Sequence, residues 1–270
     1  MKLTTSIVVL LAGGFASVVA IVACFLLPFN ILFFMWNYII PLGAVAAGFV
    51  GGLGYYIAAK KVNHRPGYML LAGMLGVTAV SWCLGFFLIY ALSKAASSLS
   101  FINWMDEYFT SVTYRKAGHD GGKLGKFGYG LAAIQLLGYL VPIYVYFMVL
   151  RANAYCEACG KFYKNLGSLS KRFRNIEGLT TYLAKLHSKQ IFSYEYCDVL
   201  AESPETLTMK DCTAALNYQL RQCPGCKREI LSSSGMVLRG KQWAPVKELG
   251  KTIQVTQGST LLSAFGKQVT

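Results

Sequence analysis

The chain has 270 residues, 54% of them hydrophobic and only 14% charged, with a formal net charge of +14. Soluble domains carry about 25% charged residues, so this balance excludes an ordinary soluble protein and points to a membrane protein with a polar appendage. Residues 1–150 hold 9 Lys/Arg and 3 Asp/Glu, and residues 151–270 hold 17 and 9. Both parts are therefore basic, which suits anionic lipid headgroups and permits nucleic acid.

A hydrocarbon core of about 30 Å is crossed by about 20 apolar helical residues, and four stretches reach that length. The first spans about Thr5 to Leu27. Its "IVAC" (21–24) has the outline of a lipoprotein processing box at Cys24, but the apolar "FLLPFNILFF" that follows favours a plain first span. The second, about Trp36 to Ala59, contains "GAVAAGFVGGLG" (43–54). Its Gly43, Ala47, Gly48, Gly51 and Gly52 form small-residue faces that admit close helix packing within a bundle, or a homodimer seam. The third covers about Tyr68 to Ser93 and the fourth about Tyr129 to Leu150. Pro41 and Pro142 read as kinks, and Gln135 as interhelical hydrogen-bond glue.

No Asp, Glu, Lys, Arg or His falls inside these spans. Ion and proton carriers keep such groups there, so transport of a small solute is the weakest of the functional readings. Lys60, Lys61 and Arg65 between spans two and three, with Lys2 and Arg151, place both termini in the cytoplasm. The expected setting is the bacterial inner (cytoplasmic) membrane.

The 94–129 connection holds two different pieces. In "SFINWMDEYFTSVTYR" (100–115), Phe101, Trp104, Met105, Tyr108 and Val112 recur at helical spacing, which predicts an interfacial helix with Trp104 at headgroup depth. "KAGHDGGKLGKFGYG" (116–130) then reads as a flexible glycine-rich turn region, with His119 and Asp120 solvated in it.

The region 151–270 forms a separate polar domain. "CEACGKFY" (156–163) and "CPGCKREI" (223–230) each carry a Cys-x2-Cys pair, with 63 residues between the pairs. Two residues between cysteines let both thiolates of a tight turn face one ion, and two such turns complete a tetrahedron. Cys156, Cys159, Cys223 and Cys226 are therefore the candidate metal ligands, with a structural Zn²⁺ as the expected ion. Cys24 and Cys83 read as buried span residues, and Cys197 and Cys212 as core residues. Between the pairs lie "KRFR" (171–174), whose Lys171, Arg172 and Arg174 are candidates for anionic contact, and an amphipathic helix over about 175–190. Its apolar stripe is Ile176, Leu179, Leu183 and Leu186.

The two knuckles with their flanks, roughly 154–164 and 216–240, resemble the zinc-ribbon superfamily. The long spacer departs from its usual spacing of about 15–20 residues and requires a helical insertion. The fold class is thus an α-helical membrane protein of four transmembrane helices (1–150) with a cytoplasmic C-terminal α+β zinc-ribbon-like domain (151–270). The function expected is a membrane-anchored zinc-ribbon adaptor that binds a protein partner or anionic lipid headgroups. A membrane thiol–disulfide oxidoreductase working through a Cys-x2-Cys pair is the alternative.

Overall fold

The computed structural model describes residues 2–26, 40–93, 98–111, 113–116, 119–202, 207–208 and 211–255, with Leu261 and Phe265. The chain divides into two compact units, Met1–Asn153 and Ala154–Thr270.

In the first unit, four helices are long and apolar enough to cross a membrane: α1 (Lys2–Leu26), α2 (Leu42–Lys61), α3 (Tyr68–Leu92) and α5 (Phe127–Ala152). One expectation shifts. Pro41 does not kink a helix but stands at the N-cap of α2, its carbonyl accepting the Val45 N–H at 2.9 Å. A proline lacks the N–H that a helix interior needs, so it fits better at the start. The proposed start of this span at Trp36 lies outside the described residues.

Small residues set the helix spacing. A Cβ on Gly13 of α1 would fall 2.0 Å from the Tyr55 ring of α2, and one on Gly48 of α2 would fall 2.4 Å from the Tyr139 carbonyl of α5. A Cβ on Gly51 would meet Ser17, and one on Gly52 would meet Tyr146. The glycine face of α2 is thus occupied within the chain, which is the bundle reading of that sequence. The polar links come from tyrosines. Tyr139 donates to the Ser17 carbonyl at 2.8 Å, and the Tyr55 hydroxyl lies 3.0 Å from Thr78 Oγ1. Gln135 is buried, and among the described residues its Oε1 meets no donor.

The connection carries α4 (Phe101–Thr110), capped by the Ser100 hydroxyl accepting the Asn103 N–H. It is shorter than the expected 100–115 element, and Val112 lies outside the described residues. Its aromatic face is packed inward. Trp104 is only 8% exposed and lies against Tyr90, Phe101 and Tyr108, while Phe109, absent from the expected stripe, is 3% exposed beside Trp82 and Phe86. Ile102 faces outward. The expected glycine-rich turn region is partly ordered: β1 (Thr113–Lys116) pairs antiparallel with β2 (His119–Lys123), with Asp120 opposite Arg115.

The second unit begins with a two-stranded ribbon, β3 (Tyr155–Cys156) against β4 (Lys161–Phe162). A four-stranded antiparallel sheet follows in the order β5 (Lys164–Phe173), β6 (Ala214–Gln222), β7 (Glu229–Arg239) and β8 (Gln242–Val255). Between β5 and β6 come α6 (Ile176–His187) and α7 (Tyr194–Ala201), capped by Asn175 Oδ1 and Ser193 Oγ respectively. Alternation along the strands gives one face to the core, in rows such as Leu169–Tyr218–Ser233–Lys251 and Phe173–Ala214–Val237–Ala244. Leu179 and Leu186 of α6 cover that face, with Tyr196, Val199 and Leu200 of α7 and with Leu261 and Phe265. Ile176, expected in the helix stripe, is 53% exposed and lies outside the buried core.

The α2–α5 contact gives a direct test. Gly48→Val should cost about 1–3 kcal/mol by overpacking against the Tyr139 backbone. Gly76→Ala, with nothing within 4 Å of its added carbon, should leave stability nearly unchanged. Detergent-titrated unfolding measures both.

Candidate metal centre

The two Cys-x2-Cys segments fold the same way. In the first, the Gly160 N–H donates to the Cys156 carbonyl at 2.8 Å, with Gly160 at φ +62°. In the second, the Lys227 N–H donates to the Cys223 carbonyl at 3.0 Å, with Lys227 at φ +60°. Each turn therefore needs a left-handed residue directly after its second cysteine. Glycine adopts that conformation without cost, whereas lysine is strained there by about 1–2 kcal/mol. The turns are closed by strand pairing, Cys156 opposite Lys161 in one, and a Cys223 N–H bond to the Arg228 carbonyl at 2.8 Å in the other.

Strand register brings the turns together. Lys164, next but one after Phe162, pairs with Gln222, the residue before Cys223. The 63 residues between the pairs run out along β5, through both helices, and back along β6. A Cβ on Gly225 would lie 3.0 Å from Cys159 Cβ and Sγ, so this turn lacks a side chain where the other approaches.

The Sγ atoms of Cys156, Cys159, Cys223 and Cys226 all lie within 4.8 Å of one another, a cluster compatible with a metal site. The Cys156–Cys226 separation is 3.7 Å. A tetrahedron with metal–sulfur bonds of about 2.3 Å has edges of about 3.8 Å, whereas a disulfide needs about 2.05 Å. Cys156 and Cys223 are buried, and Cys159 and Cys226 are half-buried. The thiols also share charge unevenly. The Arg228 backbone, followed by the Cys159 thiol, lowers the pKa of Cys226. Cys159, hydrogen-bonded first to Cys226 and further raised by desolvation, is pushed up to about 12. A soft or borderline cation would be a common partner for all four sulfurs.

The other cysteines stay outside the cluster. Cys197 sits in α7 within the hydrophobic core, and Cys212 is 1% exposed ahead of β6. Among the described residues, these four thiols are the one group of three or more His, Cys, Asp or Glu side chains placed to share an ion. Compared with family models, with curated proteins and with solved structures, the chain has no match in any of the three.

The "KRFR" segment is corrected at two of its three cations, while Arg174 is exposed. Lys171 is 1% exposed, in the core-facing row Lys171–Leu216–Gly235–Val246 of the sheet. Its ammonium donates to the Glu202 carbonyl and lies 5.1 Å from the Tyr182 ring centre. Arg172, on the opposite face, donates to the Leu207 carbonyl at 2.8 Å. Two of the three candidate anion-binding cations therefore hold the backbone that follows α7. The strand period carried the missed signal: Leu169, Lys171 and Phe173 alternate onto one face.

Burial lowers the Lys171 pKa to about 8, against a partial opposing pull from Glu202. Between that value and the ordinary lysine range the unfolded chain binds more protons than the folded one, so this residue makes stability rise with pH across that window. Below about pH 8 the full cost of burying the charge remains. Lys171→Met should flatten the rise relative to the wild type in denaturant titrations at pH 8 and pH 10, and leave stability near neutrality equal or higher.

Proposed function

We propose that this protein is a membrane-anchored adaptor whose C-terminal module is a zinc-ribbon-like unit held by one structural Zn²⁺. The observation that carries the reading is the convergence of four thiols from two matched turns to within 4.8 Å. With Zn²⁺ in place, Cys156, Cys159, Cys223 and Cys226 would occupy every position of its tetrahedron, leaving none for water or substrate. Such a site supplies folding free energy, on the order of 10 kcal/mol for zinc-finger peptides. A unit of 117 residues with a modest core gains from that contribution.

The bundle supports anchoring over transport. Within α1, α2, α3 and α5, charged residues stand only at the ends, at Lys2, Lys60, Lys61 and Arg151. The positions of these cations support an orientation with both termini in the cytoplasm, where reduced thiols persist. The partner is a protein or an anionic lipid surface, met through the excess positive charge of residues 151–270. Lys171 and Arg172 are committed to backbone carbonyls, so Arg174, Lys227, Arg228, Lys241 and Lys247, all exposed, are the better candidates for that contact.

Elemental analysis of the purified full chain should give one zinc per molecule, and a thiol count without reductant should find the four cysteines unpaired. Cys223→Ser should remove most of the metal and unfold the C-terminal module while the helices still insert, whereas Cys197→Ser should leave zinc content unchanged. Little zinc together with a Cys156–Cys159 disulfide would replace this reading with thiol–disulfide exchange. Thiol labelling of intact cells should leave the C-terminal cysteines unmodified, and efficient external labelling would reverse the orientation.

A further inference from the structure

The two faces of the four-stranded sheet differ. One is covered by α6 and α7. The other presents Ser168, Gln219, Ser232 and Thr252 in one paired row across its middle. Toward the end remote from the four thiols, that second face turns apolar. Arg172, Ala215, Met236 and Pro245 form one row there, and Leu238 pairs with Trp243 in the next. Met236 and Pro245 are exposed, Leu238 and Trp243 are half-buried, and none of the four belongs to the core under the helices.

The same end of the sheet is basic. Arg239 pairs with Gln242, and Gly240 at φ +64° opens the two-residue hairpin turn that Lys241 completes. Arg174 is drawn to this end because the Thr213 N–H donates to the Phe173 carbonyl at 3.0 Å and the Leu238 N–H to the Thr213 carbonyl at 2.7 Å. Arg174, Arg239 and Lys241 are all exposed. Beyond Val246, β8 advances five residues while β7 advances two, and this bulge seats Leu249 against Gly235. Lys247 and Glu248 fall in the bulge and offset one another. Asp211, the other acid close in the chain, accepts from the Thr208 hydroxyl. The patch is thus an apolar surface with an excess of positive charge around it.

We propose that this end of the sheet docks on the anionic surface of the bilayer that holds the same chain. Trp243 and Leu238 enter the headgroup region, a depth that suits an indole with its apolar ring and polar N–H. Arg174, Arg239 and Lys241 meet the lipid phosphates, and each such cation favours the docked state by about fivefold. The patch is small, but α5 ends at Ala152 and the second unit begins at Ala154. So short a leash makes docking an intramolecular step with an effective concentration of about millimolar. The proposal rests on the membrane-anchored reading and is independent of the zinc.

Fluorine NMR on the full chain in lipid nanodiscs tests it. The chain has four tryptophans, so 5-fluorotryptophan labelling gives one signal from each, and Trp243→Phe identifies that of Trp243. With gadolinium chelated to the lipid headgroups, the Trp243 signal should broaden strongly in phosphatidylglycerol nanodiscs and weakly in phosphatidylcholine ones. Replacing Arg174, Arg239 and Lys241 together by Gln should lower its docked-to-free ratio in phosphatidylglycerol by about a hundredfold. These are exposed side chains, and an unchanged Trp243 shift in phosphatidylcholine will show that the variant is folded. Equal broadening in both lipids, no broadening in either, or broadening kept by the triple variant would each overturn the proposal. A wild-type Trp243 at its random-coil shift would overturn the folded module together with the docking, whereas a dispersed but unbroadened signal would overturn the docking alone.

Discussion

The antiparallel pairing of β5 with β6 is the constraint on which the second unit depends. A strand that leaves one cysteine turn and a strand that enters the other are hydrogen-bonded along their length, from Lys164 opposite Gln222 to Phe173 opposite Ala214. That register fixes where both turns end. A slip of one residue would move every side chain to the other face, separating the thiols and turning Leu169, Lys171 and Phe173 outward. The thiol cluster and the hydrophobic core are therefore set by the same ladder. The helices inserted between these strands add length in sequence without adding distance between the turns.

The unit of four long apolar helices solves a different problem. Lipid gives helices no hydrophobic reason to associate, so close packing and a few polar links must hold them together. Gly13, Gly48, Gly51 and Gly52 let backbones and rings approach, and Tyr55 and Tyr139 reach across to Thr78 and Ser17. Tyrosine suits this work because its ring fills space while its hydroxyl bonds at the far end. A second adhesive region joins α3 to α4, where Trp82, Phe86, Tyr90, Trp104, Tyr108 and Phe109 meet ring to ring. The short helix is thereby turned with its aromatic side to the protein.

Much of this was legible from composition and spacing. The apolar runs located the four long helices to within a few residues, except at Pro41, and the matched Cys-x2-Cys pairs named the thiols that converge. What was not legible depends on partners distant in sequence. Phe109 lies off the helical stripe that runs through Tyr108 and Val112, and only the position of α3 shows that a neighbouring face is also covered. The helix α7 is eight residues long, too short for its periodicity to stand out. Lys171 was misread because a basic run is ordinarily solvated. Its burial requires Tyr182 of α6 and Glu202 just after α7, and no local pattern reveals how those helices dock. The bulge in β8 is likewise hidden, since Gly235 and Leu249 come together only once the strands are paired.

The central claim is that the four thiols hold one zinc ion with no other ligand. X-ray absorption at the zinc edge of the purified full chain measures this directly. The account predicts a single shell of four sulfur atoms at about 2.3 Å with no nitrogen or oxygen scatterer. A shell containing nitrogen or oxygen in place of any sulfur, or the absence of zinc from the folded protein, would contradict it.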